Sequence, residues 1–306
     1  MPIMSPASLL RLILLAALWG GSFYFLRALA PVFAPGPLIL VRVGCAALFL
    51  TVMAIARRRR IELLRHGRHY LIIGLLNAAL PFVLFAYAAH SLSASLLSIL
   101  NACAPVFGAL FAALWLRTGI SRPTALGLLM GVCGVALLAG SDIGLPASGW
   151  AAPLVAGLAA SASYGLATAY AKAVPDSATP FQNALGSMWA ATLMLLPALW
   201  ASPAPTGADA GHWLAALMLG VLSTGLAFLL YFRLIEDEGP TRALTVTFLI
   251  PLFGVLWGSL FLGEPVGWSL LTGGALILLG TALSTGLMQR APASDRSSQA
   301  VTPREP

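Results

Sequence analysis

Polar, proline and aromatic residues are grouped along four apolar stretches of the chain, and in all but the third they recur every three to four residues. Ser95, Ser98, Asn101 and Pro105 form one row, and Ser161, Tyr164, Thr168 and Lys172 a second. Thr241, Thr245 and Pro251 form a third, and Asn77, Pro81 and Phe85 a fourth. On helices, that spacing puts each such row on one side. Hydroxyl and amide groups donate and accept hydrogen bonds without a fixed charge, which suits a wet site for a zwitterion. Pro81, Pro105 and Pro251 lack a backbone donor, so each can serve as a hinge and leave a carbonyl free in the wall of such a site. Trp19, Tyr164 and Tyr231 add aromatic faces that can stack on a ligand. The competing role for each hydroxyl is a hydrogen bond to a neighbouring helix, worth about 0.6 kcal/mol on average. Asn77 and Asn101 cost more to bury and are the stronger site candidates.

What these stretches lack is equally informative. All ten acidic residues (Glu62, Asp142, Asp176, Asp209, Glu236, Asp237, Glu238, Glu264, Asp295 and Glu305) lie between, beside or beyond the apolar stretches. A carboxylate inside such a stretch is the usual proton relay and the usual counter-ion for a cationic ligand. Neither role is provided for. No H-E-x-x-H or G-x-S-x-G occurs, and His66, His69, His90 and His212 are read as peripheral, so zinc chemistry and serine hydrolysis are not expected. The three cysteines, Cys45, Cys103 and Cys133, sit in apolar runs as small hydrophobes rather than as a disulfide framework. No metal or other cofactor is implied.

The elements that must position these rows follow from composition. Of 306 residues, 59% are apolar and only 9% charged, against about 25% charged in a soluble domain. The chain cannot cover a water-facing surface and is an integral membrane protein. A crossing takes roughly 20 apolar helical residues, and ten such runs are present: 9–29, 36–56, 69–89, 93–116, 121–140, 150–173, 181–200, 212–233, 241–262 and 267–288. They are continuous rather than alternating, which selects helices over a barrel. Residues 289–306 read as a disordered cytoplasmic tail. Six arginines cluster at Arg57, Arg58, Arg59, Arg60, Arg65 and Arg68; a cytoplasmic loop explains them better than a nucleic-acid groove does. With that loop inside, fifteen of the seventeen basic residues fall on the cytoplasmic side, together with both termini. Arg42, near the outer end of the second run, is expected to snorkel to the headgroups.

The chain also repeats itself. Trp19-Gly20, Arg27 and Pro35 match Tyr164-Gly165, Lys172 and Pro180 at an offset of 145, and Pro105, Phe107, Gly108, Gly127, Gly134 and Gly140 match Pro251, Phe253, Gly254, Gly273, Gly280 and Gly286 at 146. Five crossings per half is an odd number, so the second copy must enter the membrane upside down. Inverted halves of this kind place a site near the midplane. The fold class expected is an all-α membrane protein of ten helices, with residues 9–140 and 150–288 as its two five-helix repeats.

The "LWGGSF" start of the first run, together with "PLFGVLWGSLFLGEPVG" followed by "GGALILLGTAL", resembles the drug/metabolite transporter superfamily, and its EamA-type members in particular. The resemblance spans roughly residues 9–288. It implies a basket-like bundle around a central cavity and export of amino acids or similar small metabolites across an inner membrane. On that reading the partners are a small-molecule substrate and the bilayer, the protein is a monomer and no enzyme, and transport is facilitative alternating access. The substrate residues are Trp19, Asn77, Phe85, Ser98, Asn101, Tyr164, Thr168, Tyr231 and Thr245. A multidrug carrier is the alternative within the superfamily, and an intramembrane lipid-handling enzyme the alternative outside it.

Overall fold

In the computed structural model the described residues are 4–59, 63–115, 117, 119–139, 149–174 and 178–285, and among them no strand occurs. Ten helical segments follow one another: α1 (Pro6–Leu29), α2 (Pro35–Ala56), α3 (Gly67–Ala88), α4 (Ala94–Trp115), α5 (Arg122–Ala139), α6 (Ala151–Ala173), α7 (Pro180–Ala201), α8 (Ala210–Glu238), α9 (Val246–Leu262) and α10 (Trp268–Ser284). Seven are long and apolar enough to cross a membrane, and α5, α9 and α10 are shorter apolar helices. The ends carry ordinary start signals. Pro sits in the first turn of α1, α2 and α7, and Ser5, Ser93, Thr179 and Asp209 cap α1, α4, α7 and α8 through their side chains. α8 runs beyond the expected residue 233, because its polar last turn faces other charges rather than lipid.

Packing repeats with the sequence. α1 lies along α9, and α6 along α4; α3 meets α6 and α7, and α8 meets α1 and α2; α5 and α10 pair with each other. Glycines permit the close crossings. A Cβ on Gly20 would fall 2.7 Å from Phe253 Cβ and 2.9 Å from the Gly254 nitrogen, and one on Gly165 would fall 2.7 Å from Phe107 Cβ and 2.6 Å from the Gly108 nitrogen. These four pairs are the ones related by the offsets of 145 and 146. Likewise, a Cβ on Gly74 would fall 2.8 Å from the Ser187 carbonyl oxygen, and one on Gly220 would fall 2.7 Å from that of Arg42.

Two irregularities also occur in matched places. α3 widens into a π turn at Leu75–Ala79, and α8 does so at Val221–Leu226. In α3 the π turn precedes Pro81, whose missing N–H would otherwise break the ladder. α4 is interrupted at Ala102 and Cys103, just before Pro105. The carbonyls on either side of Asn101, whose own carbonyl Pro105 cannot serve, are taken by side chains. The Leu100 carbonyl accepts from Ser161 Oγ, and the Ala102 carbonyl from Thr281 Oγ1, both at 2.7 Å. Pro251 is carried inside α9 without interrupting it.

Candidate functional site

Two aromatic triads face the interior, each formed by residues of both halves. Tyr164 on α6 lies 6.4 Å from Phe82 and 6.3 Å from Phe85 on α3. Trp19 on α1 lies 6.4 Å from Phe228 and 5.3 Å from Tyr231 on α8. Trp19 and Tyr164 stand 145 apart in sequence, and the pairs Phe82/Phe228 and Phe85/Tyr231 each stand 146 apart, so the triads are two copies of one arrangement. Phe23, one turn beyond Trp19, meets Phe85 at 5.3 Å and joins the two triads. The π turns of α3 and α8 begin one to two turns before the triad phenylalanines and shift them relative to a regular helix, which brings them round to face α6 and α1. A π turn is a frequent mark of a functional segment.

Arg42 is the charged group of this region, and here the structure corrects the sequence reading. Arg42 is 5% exposed and points inward instead of to the headgroups. Its Nε donates to Thr224 Oγ1 at 3.0 Å, and its guanidinium carbon lies 3.8 Å from the centre of the Phe82 ring. The close crossing at Gly220 explains the change. It brings the π turn of α8, with the Thr224 hydroxyl, up to the guanidinium. Thr224 in turn donates to the Leu219 carbonyl at 3.1 Å, which the widened turn has released. Among the described residues no carboxylate pairs with Arg42.

The other sequence candidates are distributed differently. Asn77 lies in the α3 π turn and Asn101 at the α4 break; both are half-buried, and among the described residues neither side-chain amide makes a hydrogen bond. Ser98 is fully buried, donates to the Ser95 carbonyl at 2.8 Å and packs on Gly254 at the α4–α9 crossing. Thr168 is exposed, with its hydroxyl turned back to the Tyr164 carbonyl at 3.0 Å. Thr245 precedes α9 and donates to the Arg242 carbonyl at 2.7 Å. These three are therefore not brought to the triads. His69, read as peripheral, is buried and stands 3.3 Å from the Tyr170 hydroxyl.

Sequence reasoning missed Phe82, Phe228 and Thr224. The repeat offset could have found the two phenylalanines, because it relates them to each other as it does Phe85 and Tyr231. Thr224 had no such signal.

Polar contacts join segments at both ends of the bundle. On the face bearing Arg57 and Arg59, Arg11 of α1 pairs with Asp237 of α8 at 2.5 Å, and Arg242 pairs with Glu238 at 2.7 Å. Nearby, a cavity of about 400 Å³ opens between α2, α7 and α8, with Arg59 above the Phe181 ring at 5.0 Å. On the opposite face Glu264 caps the start of α4. Its carboxylate accepts from the Ala94 N–H at 2.7 Å, the Ser95 N–H at 2.9 Å and Ser95 Oγ at 2.5 Å. Arg27 there donates to the carbonyls of Ala89 and His90 at 2.8 and 2.9 Å.

The bundle is multi-pass and built twice from one unit, with matched irregularities in its two copies. The model of the EamA-like transporter family matches residues 7–140 and again 151–286. The chain belongs to that family. An uncharacterized transporter of Bacillus subtilis, YvbV, is 28% identical over 90% of both chains. A probable terminal-alkyne amino-acid exporter of Streptantibioticus cattleyicolor is 25% identical over 89% of this chain and 91% of its own. A solved crystal structure superposes with a TM-score of 0.61 at 19% identity, covering 92% of this chain and 97% of that one, and shares the fold.

Proposed function

We propose that the protein exports small polar metabolites, amino acids foremost, across an inner membrane by facilitative alternating access. The observation that carries this reading is the pair of aromatic triads between the repeats, with Asn77 and Asn101 holding uncommitted amides. Aromatic faces and neutral amides suit a zwitterion with an apolar side chain. The name of the Streptantibioticus relative supports the substrate class. Trp19, Asn77, Phe85, Asn101, Tyr164 and Tyr231 line the path, and Pro81, Pro105 and Pro251 serve as hinges. Residues 9–140 and 150–288 act as the two rocking units.

On this reading the arginine-rich face is cytoplasmic, both termini lie there and the protein works as a monomer. Opening inward separates Arg11 from Asp237; opening outward separates Glu264 from the start of α4. The apolar spans hold no carboxylate to carry a proton, so no ion gradient is obligatory. The test uses purified protein in vesicles with no ion gradient and a labelled amino acid inside or outside. Equilibration of the label is expected. Transport that starts only when a proton or sodium gradient is imposed would exclude the facilitative mechanism.

A further inference from the structure

Arg42 poses a physical problem that the scaffold does not solve. A guanidinium offers five N–H donors; here Nε is satisfied by Thr224, one flat face rests on Phe82, and no carboxylate among the described residues neutralises the charge. The terminal Nη groups make no hydrogen bond among the described residues, and they are not among the sealed, unpartnered atoms, which are His69 Nε2 and Asn183 Oδ1. They are left without a partner among the described residues, yet are not fully sealed. An unpaired charge held in a membrane interior is costly and marks a site that its partner enters only at times.

The repeat shows that the charge is not needed for packing. The position equivalent to Arg42 in the second half is Ser187, at the offset of 145. Ser187 makes the matching crossing with Gly74 through its carbonyl, as Arg42 does with Gly220, and its hydroxyl merely donates to the Ala184 carbonyl at 3.0 Å. One scaffold thus closes equally well with a serine or an arginine. The aromatic triad on the Arg42 side is charged, and its twin on the Trp19 side is neutral.

We infer that Arg42 is the receiving group for a carboxylate on the transported molecule, bound end-on by its two Nη groups beside Phe82 and Tyr164. This deepens the exporter reading and rests on it for the word "transported". With Nε committed to Thr224, the pair of Nη groups remains as one fork for one planar oxyanion. Among the described residues no second cation pairs with this site, which favours a single carboxylate over a doubly charged phosphate. Selection for the acid end also explains how amines of the same shape would be refused without an interior carboxylate.

The test compares ligands that share a side chain but differ in their charged ends. L-Phenylalanine, 3-phenylpropionate and phenethylamine form one series; leucine, 4-methylpentanoate and isoamylamine form a second. Ligand-induced thermal shifts of the purified protein report binding, and competition for labelled uptake in vesicles reports transport. Carboxylate-bearing members of at least one series should bind at least about tenfold more tightly than the amine. Arg42→Gln should erase that difference, and Arg42→Lys should restore part of it. An amine that binds as well as its amino acid, no binding by any carboxylate, or full discrimination in Arg42→Gln would overturn the proposal. Should Arg42→Gln fail to fold, Arg42→Lys decides. Unchanged carboxylate affinity there counts against the fork, and a loss of about threefold or more supports it. Carboxylate binding without vesicle transport would sink the exporter reading alone, whereas uptake shared equally by the amines would sink the role of Arg42 alone.

Discussion

At the scale of single residues, the interior is decided by which groups are satisfied and which are left available. Ser161 and Thr281 are spent on the carbonyls exposed by the break in α4. Thr281→Val is expected to cost about 1 kcal/mol of stability with little effect on transport, read by thermal unfolding in lipid beside vesicle uptake. Tyr164 is different, because it is half-buried and stacks within a triad. Tyr164→Ala should leave a folded, inserted protein whose uptake falls about tenfold, while Tyr164→Phe keeps most of it; wild-type uptake by Tyr164→Ala would remove it from the path. Periodicity marked Ser98, Asn101, Tyr164 and Thr168 as polar points on two rows. It could not tell a hydroxyl bonded to its own helix, as in Ser98 and Thr168, from an amide left open, as in Asn101. That distinction depends on which neighbouring helix arrives, and Gly254 arrives at Ser98. Arg42 was misjudged for the same reason: nothing in its own helix announces Thr224, 182 residues further on.

At the scale of elements, helices meet where glycine lets two backbones touch. Gly20→Ala and Gly165→Ala insert a methyl group at 2.6–2.9 Å from backbone atoms of the facing helix. Each should cost about 1–3 kcal/mol, visible as a lower melting temperature in detergent, and the two losses should be alike because the crossings are copies. The cap on α4 makes a separate claim. Glu264 places a charge at a helix N-terminus and accepts three hydrogen bonds. Glu264→Gln keeps the shape but weakens these contacts. A cysteine at Ser93 should then react faster with an impermeant maleimide than it does with Glu264 intact; an unchanged rate would show that this contact does not hold the far face closed. Run lengths gave the helices to within a few residues, since lipid thickness sets them. The π turns escaped notice, because a widened turn has no signature beyond Pro81 in one half and none in the other.

At the scale of the whole molecule, the charge distribution and the duplication carry the argument. Basic residues gather on one face, so a single cysteine at Gly207, between α7 and α8, should be labelled by an impermeant reagent on intact cells. One at Ser121, between α4 and α5, should be labelled only after permeabilisation. Labelling of both from outside would overturn the orientation. The duplication was legible from the constant offset of the glycines and prolines, and the structure turns those matches into paired crossings. What the offset could not convey is where the halves differ. Ser187 occupies the same place in the repeated frame as Arg42, but without charge. A duplicated frame with one occupied and one vacant charge position can change its preferred cargo by a single replacement in either half. Diversity among such carriers then needs no new architecture, only a different sign at one of two mirrored seats.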